Sequence, residues 1–358
     1  MSIHADERTR RPDVGIPGRQ DGGPRDEEIH MRTTRRSLHA VVTVSAAALA
    51  LSACSSQGGA QNESGGGGGG GGGQDYTIAM ITHEAPGDAF WDKIRSGANA
   101  AADSLGVTLN YSNAPAAGEQ ATLVQNQVDS DVDGIAITLA YPDQVGPAAQ
   151  SAVQGGIPVV AFNSGINDYV DYGIPMYFGS NEQLAGRTVG ERIGADGGQK
   201  ALCVIQEQGQ VALETRCAGV TEGFPNTEIL YVQGTDLPSV QQTIGSSLQT
   251  DPSVTHIVTL GAQVAQAAQA AKGDTGSQAE VVTFDLNPEV AQAIQAGDIS
   301  FSVDQQPYVQ GYMAVQALYL NLINGNDIGG GQPVLTGPSI VDESNIDVIL
   351  PFAENNTR

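Results

Sequence analysis

The chain has 358 residues, with 16 Lys and Arg against 40 Asp and Glu and a formal net charge of −24 at pH 7. The first 53 residues hold eight Arg and seven acids, so the remainder holds only eight basic residues against 33 acidic ones. A body this acidic has nothing with which to neutralise a phosphate backbone, which excludes nucleic acid as a partner. Its length allows two medium domains.

Residues 1–30 are polar and charged without periodicity, and read as a mis-assigned or disordered N-terminal extension ahead of a start at Met31. Met31–Ala40 is a basic n-region, and Val41–Leu51 is an apolar h-region too short to span a bilayer. The h-region ends Leu51-Ser52-Ala53-Cys54, which resembles a bacterial lipobox. Residues 31–53 are therefore expected to be a lipoprotein signal peptide, cleaved before Cys54, whose sulfur is lipidated. Arg35-Arg36 leaves both the Sec and the twin-arginine export routes open. Residues 54–74 form a Gly-rich tether with an unbroken run Gly65–Gly73, a composition that behaves as random coil. No later apolar run is long enough to span a membrane.

From Tyr76 the chain reads as strand–helix units. Strands are expected at Tyr76–Thr82, Val107–Tyr111, Gly134–Leu139 and Ile157–Phe162, with helices at Phe90–Leu105, Glu119–Ser130 and Pro142–Gln154 between them. Asp88 is a candidate cap and Gly106 a candidate stop for the first helix. The strand centres recur about every 24 to 29 residues, the period of βαβ units in a parallel sheet. The pattern restarts with a short strand at Tyr177–Gly179 and a helix at Asn181–Gly194. Further strands centre near Leu202, Ile229, Ile257, Val281 and Phe301, alternating with helices near Leu213–Gly223, Ser239–Thr250, Gln263–Lys272 and Pro288–Ala296. Pro307 then starts a long helix over Tyr308–Ile323, leaving Gln305 at a strand end, and two tail strands are expected near Val334–Ile340 and Asp347–Leu350. Two successive sets of parallel strands indicate an α/β chain of two similar lobes, each with its own sheet.

The chemistry-bearing residues are sparse. Gly65–Gly73 is not a phosphate loop, because no Lys-Ser/Thr accompanies it. His4, His30, His39, His83 and His256 show no metal-ligand spacing, so no metal and no cofactor are expected. Cys203 and Cys217 lie 14 apart, which in an exported chain reads as a disulfide ahead of a redox pair or a metal site. Asp88, Asp285 and Asp304 fall near strand ends, but spacing alone does not set two of them across a glycosidic bond, and the chain is read as not an enzyme. Phe90-Trp91, with the single tryptophan, is either core or the wall of a crevice.

Five stretches together resemble the type I periplasmic binding protein family, in particular the ribose- and galactose-binding-protein-like lipoproteins of bacterial ABC importers. They are Ile81–Trp91, Gly155–Gly165, Arg216–Gly219, Val281–Asp285 and Asp304–Gly311, within a similarity running from about Tyr76 to Pro351. The resemblance implies two doubly wound parallel-sheet lobes joined by a three-crossing hinge and closing on ligand. Lobe one would be 75–178 and 306–334, lobe two 179–305 and 335–352, and 353–358 a tail, with Gln305 at the third crossing. It further implies that Phe90 and Trp91 wall a sugar ring, with Asp88 beside them. Asn163, Arg216, Asp285 and Gln305 would meet its hydroxyls. Three departures stand out: Asn163-Ser164 in place of an Asp-Arg pair, Gly261-Ala262 in place of Asn-Asp, and about two extra residues in the loop His83–Gly87. His83 and Gln206 are candidate compensating contacts. The implied partners are a small sugar or polyol and an ABC permease with its ATPase. The implied setting is the outer face of the bacterial cytoplasmic membrane, with the protein monomeric and held by its lipid. A same-fold sensory receptor is the alternative.

Overall fold

A computed structural model describes residues 75–358, which belong to one unit by their contacts. The expectations for residues 1–30, the signal peptide, Cys54 and the tether lie outside the described residues.

The first sheet is built from β1 (Thr77–Thr82), β2 (Thr108–Asn113), β3 (Gly134–Ile137), β4 (Val159–Phe162) and β5 (Met176–Ser180), joined by β11 (Val334–Gly337) from much later in the chain. Its order is β11-β5-β4-β3-β1-β2, all parallel. Parallel strands covered on both faces need apolar residues at successive positions, and Gly134-Ile-Ala-Ile137 and Val159-Val-Ala-Phe162 are buried throughout. Alternate residues serve opposite faces. Ile78 and Met80 pack under α1 (Phe90–Leu105) and α9 (Pro307–Asn324). Ala79 and Ile81 pack under α2 (Ala117–Asp129) and α3 (Pro142–Gln154).

The second sheet repeats the plan with β6 (Ala201–Ile205), β7 (Thr227–Tyr231), β8 (His256–Thr259), β9 (Glu280–Phe284), β10 (Phe301–Asp304) and β12 (Ser339–Asp342). Its order is β12-β10-β9-β8-β6-β7, and only β12 runs antiparallel. Its helices are α4 (Glu182–Ala195), α5 (Val211–Gly223), α6 (Leu237–Thr250), α7 (Ala262–Thr275), α8 (Pro288–Ala296) and α10 (Ile346–Glu354).

The chain passes between lobes three times: from β5 to α4, from β10 to α9, and from β11 to β12. Gln305 therefore lies at the second crossing, not the third. The third is Pro338, which divides the single strand expected over Val334–Ile340 into two strands of different sheets. Residues 335–337 accordingly pair with β5 in the first sheet rather than joining lobe two. The strand expected at Asp347–Leu350 is part of α10, because Ile346, Ile349, Leu350 and Ala353 recur at helical spacing and pack on the lobe-two core. Nor is 353–358 a loose tail, since the Arg358 guanidinium lies 2.6 Å from the fully buried Asp304 carboxylate at the hinge.

Glycine sets how closely the helices bearing site residues approach. A Cβ at Gly97 would collide with the Tyr308 carbonyl, and one at Gly311 with that of Ile94, so α1 and α9 pack backbone to backbone. Gly186 against the Arg216 carbonyl does the same for α4 and α5. These contacts hold Trp91 and Gln310 in lobe one, and Glu182 and Arg216 in lobe two, on rigid supports.

Candidate functional site

A cavity of about 810 Å³ lies between the carboxyl ends of the two sheets, where parallel α/β folds place ligands. His83, Asp88, Phe90, Trp91 and Asn163 reach it from lobe one. Gln206, Arg216 and Asp285 reach it from lobe two, and Gln305 from the hinge. All nine residues singled out in the sequence thus share one cavity.

On the lobe-one wall, the loop after β1 ends in a turn where the Asp88 carboxylate accepts the Phe90 amide at 3.0 Å, one residue before the helix cap. Burial raises the Asp88 pKa. Trp91 is 3% exposed and serves two purposes: it belongs to the lobe core and also faces the cavity, edge-on to Phe90 and His83. The Gln210 side-chain oxygen accepts the Leu213 amide, which turns its NH2 towards His83 Nε2 at 3.2 Å. Nε2 is then the acceptor, and Nδ1–H donates to Thr138 at 2.8 Å. Burial holds this imidazole neutral, with its pKa lowered to about 3.

Asn163 and Asp285 each follow a phenylalanine at a strand end and adopt left-handed φ values of 65° and 66°. Asn and Asp tolerate this region better than most side chains. The two are linked through the hinge. Gln305 donates to Asp285 at 2.8 Å, and its side-chain oxygen is 3.3 Å from Asn163 Nδ2. Gln310, fully buried on α9, bonds both Asn163 and Gln305. Asp285 is 6% exposed, and burial raises its pKa to about 7 against the opposing pull of Arg216 and Gln305. Arg216, 3% exposed, is ion-paired through Nε and Nη2 to the buried Glu182, donates to the Leu260 carbonyl at 3.3 Å, and lies over the Phe284 ring.

Gln206 accounts for the departure at Gly261. A Cβ on residue 261 would sit 3.2 Å from Gln206 Nε2, so the missing side chain leaves room for this amide. Its Oε1 is buried with no partner among the described residues. Cys203 and Cys217 form a disulfide with Cα atoms 5.9 Å apart, tying β6 to α5.

Other residues of the site were not singled out. Lys93, Glu207 and Gln210 line the cavity, and Tyr141 meets Glu207 across it at 2.8 Å. The lobe rims also touch where Val211 donates to the Ala140 carbonyl at 3.0 Å, Gln210 to Ser164 at 3.2 Å, and Gln263 to the Gly87 carbonyl at 3.1 Å. Lys93 alone had a local signal, a charge on the buried stripe of α1. The rim contacts depend on residues far apart in sequence. Among the described residues no three His, Cys, Asp or Glu side chains gather as a metal site.

Comparison with known proteins agrees with this architecture. Residues 78–327 match the family model for a periplasmic binding protein domain. A xylose/arabinose-binding protein, XylF, of Sulfolobus acidocaldarius is 27% identical over 242 residues, covering 62% of this chain and 60% of that protein. The chain thus spans less than two thirds of that relative's length. The crystal structure of a carbohydrate transporter from Acidothermus cellulolyticus, in complex with myo-inositol, is 50% identical with a TM-score of 0.79, covering 79% of this chain and all of that one. An ABC transporter solute-binding protein from Burkholderia graminis, in complex with D-arabinose, is 27% identical with a TM-score of 0.66, covering 76% of this chain and 96% of that one.

Proposed function

The chain belongs to the periplasmic binding protein domain family, and on that premise we propose that it is the solute-binding component of an ABC importer, capturing a neutral polyol of the myo-inositol kind. The observation that carries the reading is the cavity itself, in which donors and acceptors from two lobes converge beside an aromatic wall and are joined through hinge amides. A hydroxyl donates and accepts at once, so a site mixing carboxylate, amide and cationic groups suits a polyol. Its volume is within the usual range for small-molecule sites, about 300–1,000 Å³.

The charge balance supports a neutral ligand. Asp88, Glu207 and Asp285 line the cavity against Lys93 alone, since the Arg216 charge is already matched by Glu182. A uronate or sugar phosphate would meet this excess of carboxylates. In the proposed complex Phe90 and Trp91 contact the CH faces of the ring, Asp285 accepts a hydroxyl proton, and Asn163, Arg216, Gln206, Gln305, Asp88 and His83 supply the remaining polar contacts. Binding favours the closed pair of lobes by its differential affinity for that form. The closed form is what the permease and its ATPase receive, and no covalent chemistry is assigned to the site. Lipidation at Cys54 would hold a monomeric receptor at the outer face of the cytoplasmic membrane.

Thermal shift and calorimetry with myo-inositol, D-xylose, D-arabinose, D-ribose and D-galactose test the ligand class. A ligand at 100 times its Kd stabilises the folded state by about 2.7 kcal/mol, an easily read rise in Tm. We expect the largest rise with myo-inositol. Silence across the whole panel from a folded protein would remove the proposal.

A further inference from the structure

Lys93 occupies the fourth position of α1, is 2% exposed and lines the cavity. Among the described residues its ammonium has no hydrogen-bond acceptor and no carboxylate within ion-pair distance. No direct partner rewards a lysine there. It stands near the positive end of a helix, which disfavours a cation. It interrupts the buried stripe shared with Ile94, Gly97 and Ala98, and a charge set in an apolar stripe without a direct partner is costly.

The carboxylates whose fields reach it are Asp88 and Asp92 from its own lobe, and Asp285 and Asp304 from the other. Two of these are committed elsewhere. Asp92 pairs with Arg95, and Asp304 accepts the Gln306 amide through one oxygen and Arg358 through the other. Asp88 is engaged by the Phe90 amide and the Trp91 side chain, and Asp285 has one oxygen engaged, by Gln305. Lobe one therefore offers the cavity a donor with no acceptor, and lobe two offers a carboxylate with capacity to spare.

We propose that Lys93 is the specificity-determining donor of lobe one, giving its proton to a ring oxygen substituent of the bound polyol while another hydroxyl of the same ring donates to Asp285. The ligand oxygens then complete a bridge between Lys93 of one lobe and Asp285 of the other. Solutes lacking an oxygen at the Lys93 position are rejected, because the ammonium stays buried without an acceptor. This inference rests on the polyol-binding reading above.

The test is Lys93→Met, which keeps the length of the stem and removes the charge. It is measured by calorimetry with myo-inositol and the set of monodeoxy-myo-inositols, together with the melting temperature of the ligand-free proteins. The variant should bind myo-inositol about 10- to 100-fold more weakly, the range for a hydrogen bond to a charged group. One monodeoxy analogue should lose about the same factor against the wild type and no further factor against the variant, the signature of a coupled pair. Ligand-free Lys93→Met should melt at or above the wild-type temperature, because a charge without a direct partner has been removed from an apolar stripe. Binding within about threefold of wild type overturns the inference, as does a lowered ligand-free melting temperature, which would make Lys93 a structural residue. If the folded wild type binds neither myo-inositol nor any other panel sugar, the polyol reading itself has failed and this one falls with it.

Discussion

Asn163 in lobe one and Asp285 in lobe two occupy matching places. Each ends a buried strand after a phenylalanine, each has a left-handed backbone, and each carbonyl is held by a hydroxyl of the neighbouring strand, Tyr177 at 2.8 Å and Ser302 at 2.7 Å. The device that turns a side chain into the cleft is therefore common to both lobes. The chemistry at its tip is not. The lobe-one residue is a neutral amide occupied by Gln305 and Gln310, and the lobe-one cation, Lys93, has no hydrogen-bond acceptor among the described residues. The lobe-two residue is a carboxyl, and the nearby cation, Arg216, is matched by Glu182. The lobe-two cation is matched within its own lobe, while lobe one retains a donor with no acceptor among the described residues.

The largest expected effect comes from making lobe two resemble lobe one. Glu182→Ala would leave Arg216 buried and unpaired, with an expected loss of about 3–5 kcal/mol of folding stability. Urea unfolding measures it, and a loss under about 1 kcal/mol would erase the contrast between paired Arg216 and unpaired Lys93. Next comes Asp285→Asn, which tolerates the left-handed backbone and removes the charge. It should weaken myo-inositol binding by about 100-fold, on the scale of lost hydrogen bonds to a charged group. It should also change the pH dependence of stability. The folded pKa of Asp285 is raised to about 7 from an ordinary 3.8, so between these values the unfolded chain binds fewer protons at this residue than the folded one. Its contribution is then fully present below about pH 4 and is lost as pH rises to 7. In melts across that window the wild type should decline relative to Asp285→Asn, and parallel curves would show that burial does not hold the carboxyl protonated.

The parallel sheets were legible because strands buried on both faces leave uninterrupted apolar runs such as Val159–Phe162, and because Gly and Asp punctuate their ends. Asp285 was readable as a strand-end residue for the same reason, whereas Asn163 was placed by the family resemblance. Asp347–Leu350 was misread because four apolar-rich residues fit a strand as well as a helix, and only the wider spacing from Ile346 to Ala353 decides between them. Val334–Ile340 has the composition of one strand, and its division at Pro338 reflects two sheets competing for it. Glu182 resembles an ordinary acidic first-turn residue, well placed for the helix dipole. Its burial against Arg216 depends on the close α4–α5 approach at Gly186. Lys93 is the reverse case, since the buried stripe of α1 carried the signal and the residue was not singled out.

The smallest expected effect tests whether the difference between the lobes extends to their rims. There lobe one supplies a neutral donor, the Tyr141 hydroxyl, and lobe two a carboxylate, Glu207, whose pKa is raised by burial. The bond joins residues on opposite sides of the cleft, so it acts on closure rather than on the folding of either lobe. Tyr141→Phe removes the hydroxyl and keeps the ring packed beside α3. The net worth of such a bond, about 0.5–1.5 kcal/mol, corresponds to roughly 2- to 12-fold weaker polyol binding. Because the closed form is the one that loses the bond, small-angle scattering of the ligand-free protein should show a larger radius of gyration, while the melting temperature changes little. An unchanged radius with weakened binding would make Tyr141 a direct ligand contact. It would then belong with Lys93 among the lobe-one groups completed by the solute, not with the contacts that close the lobes.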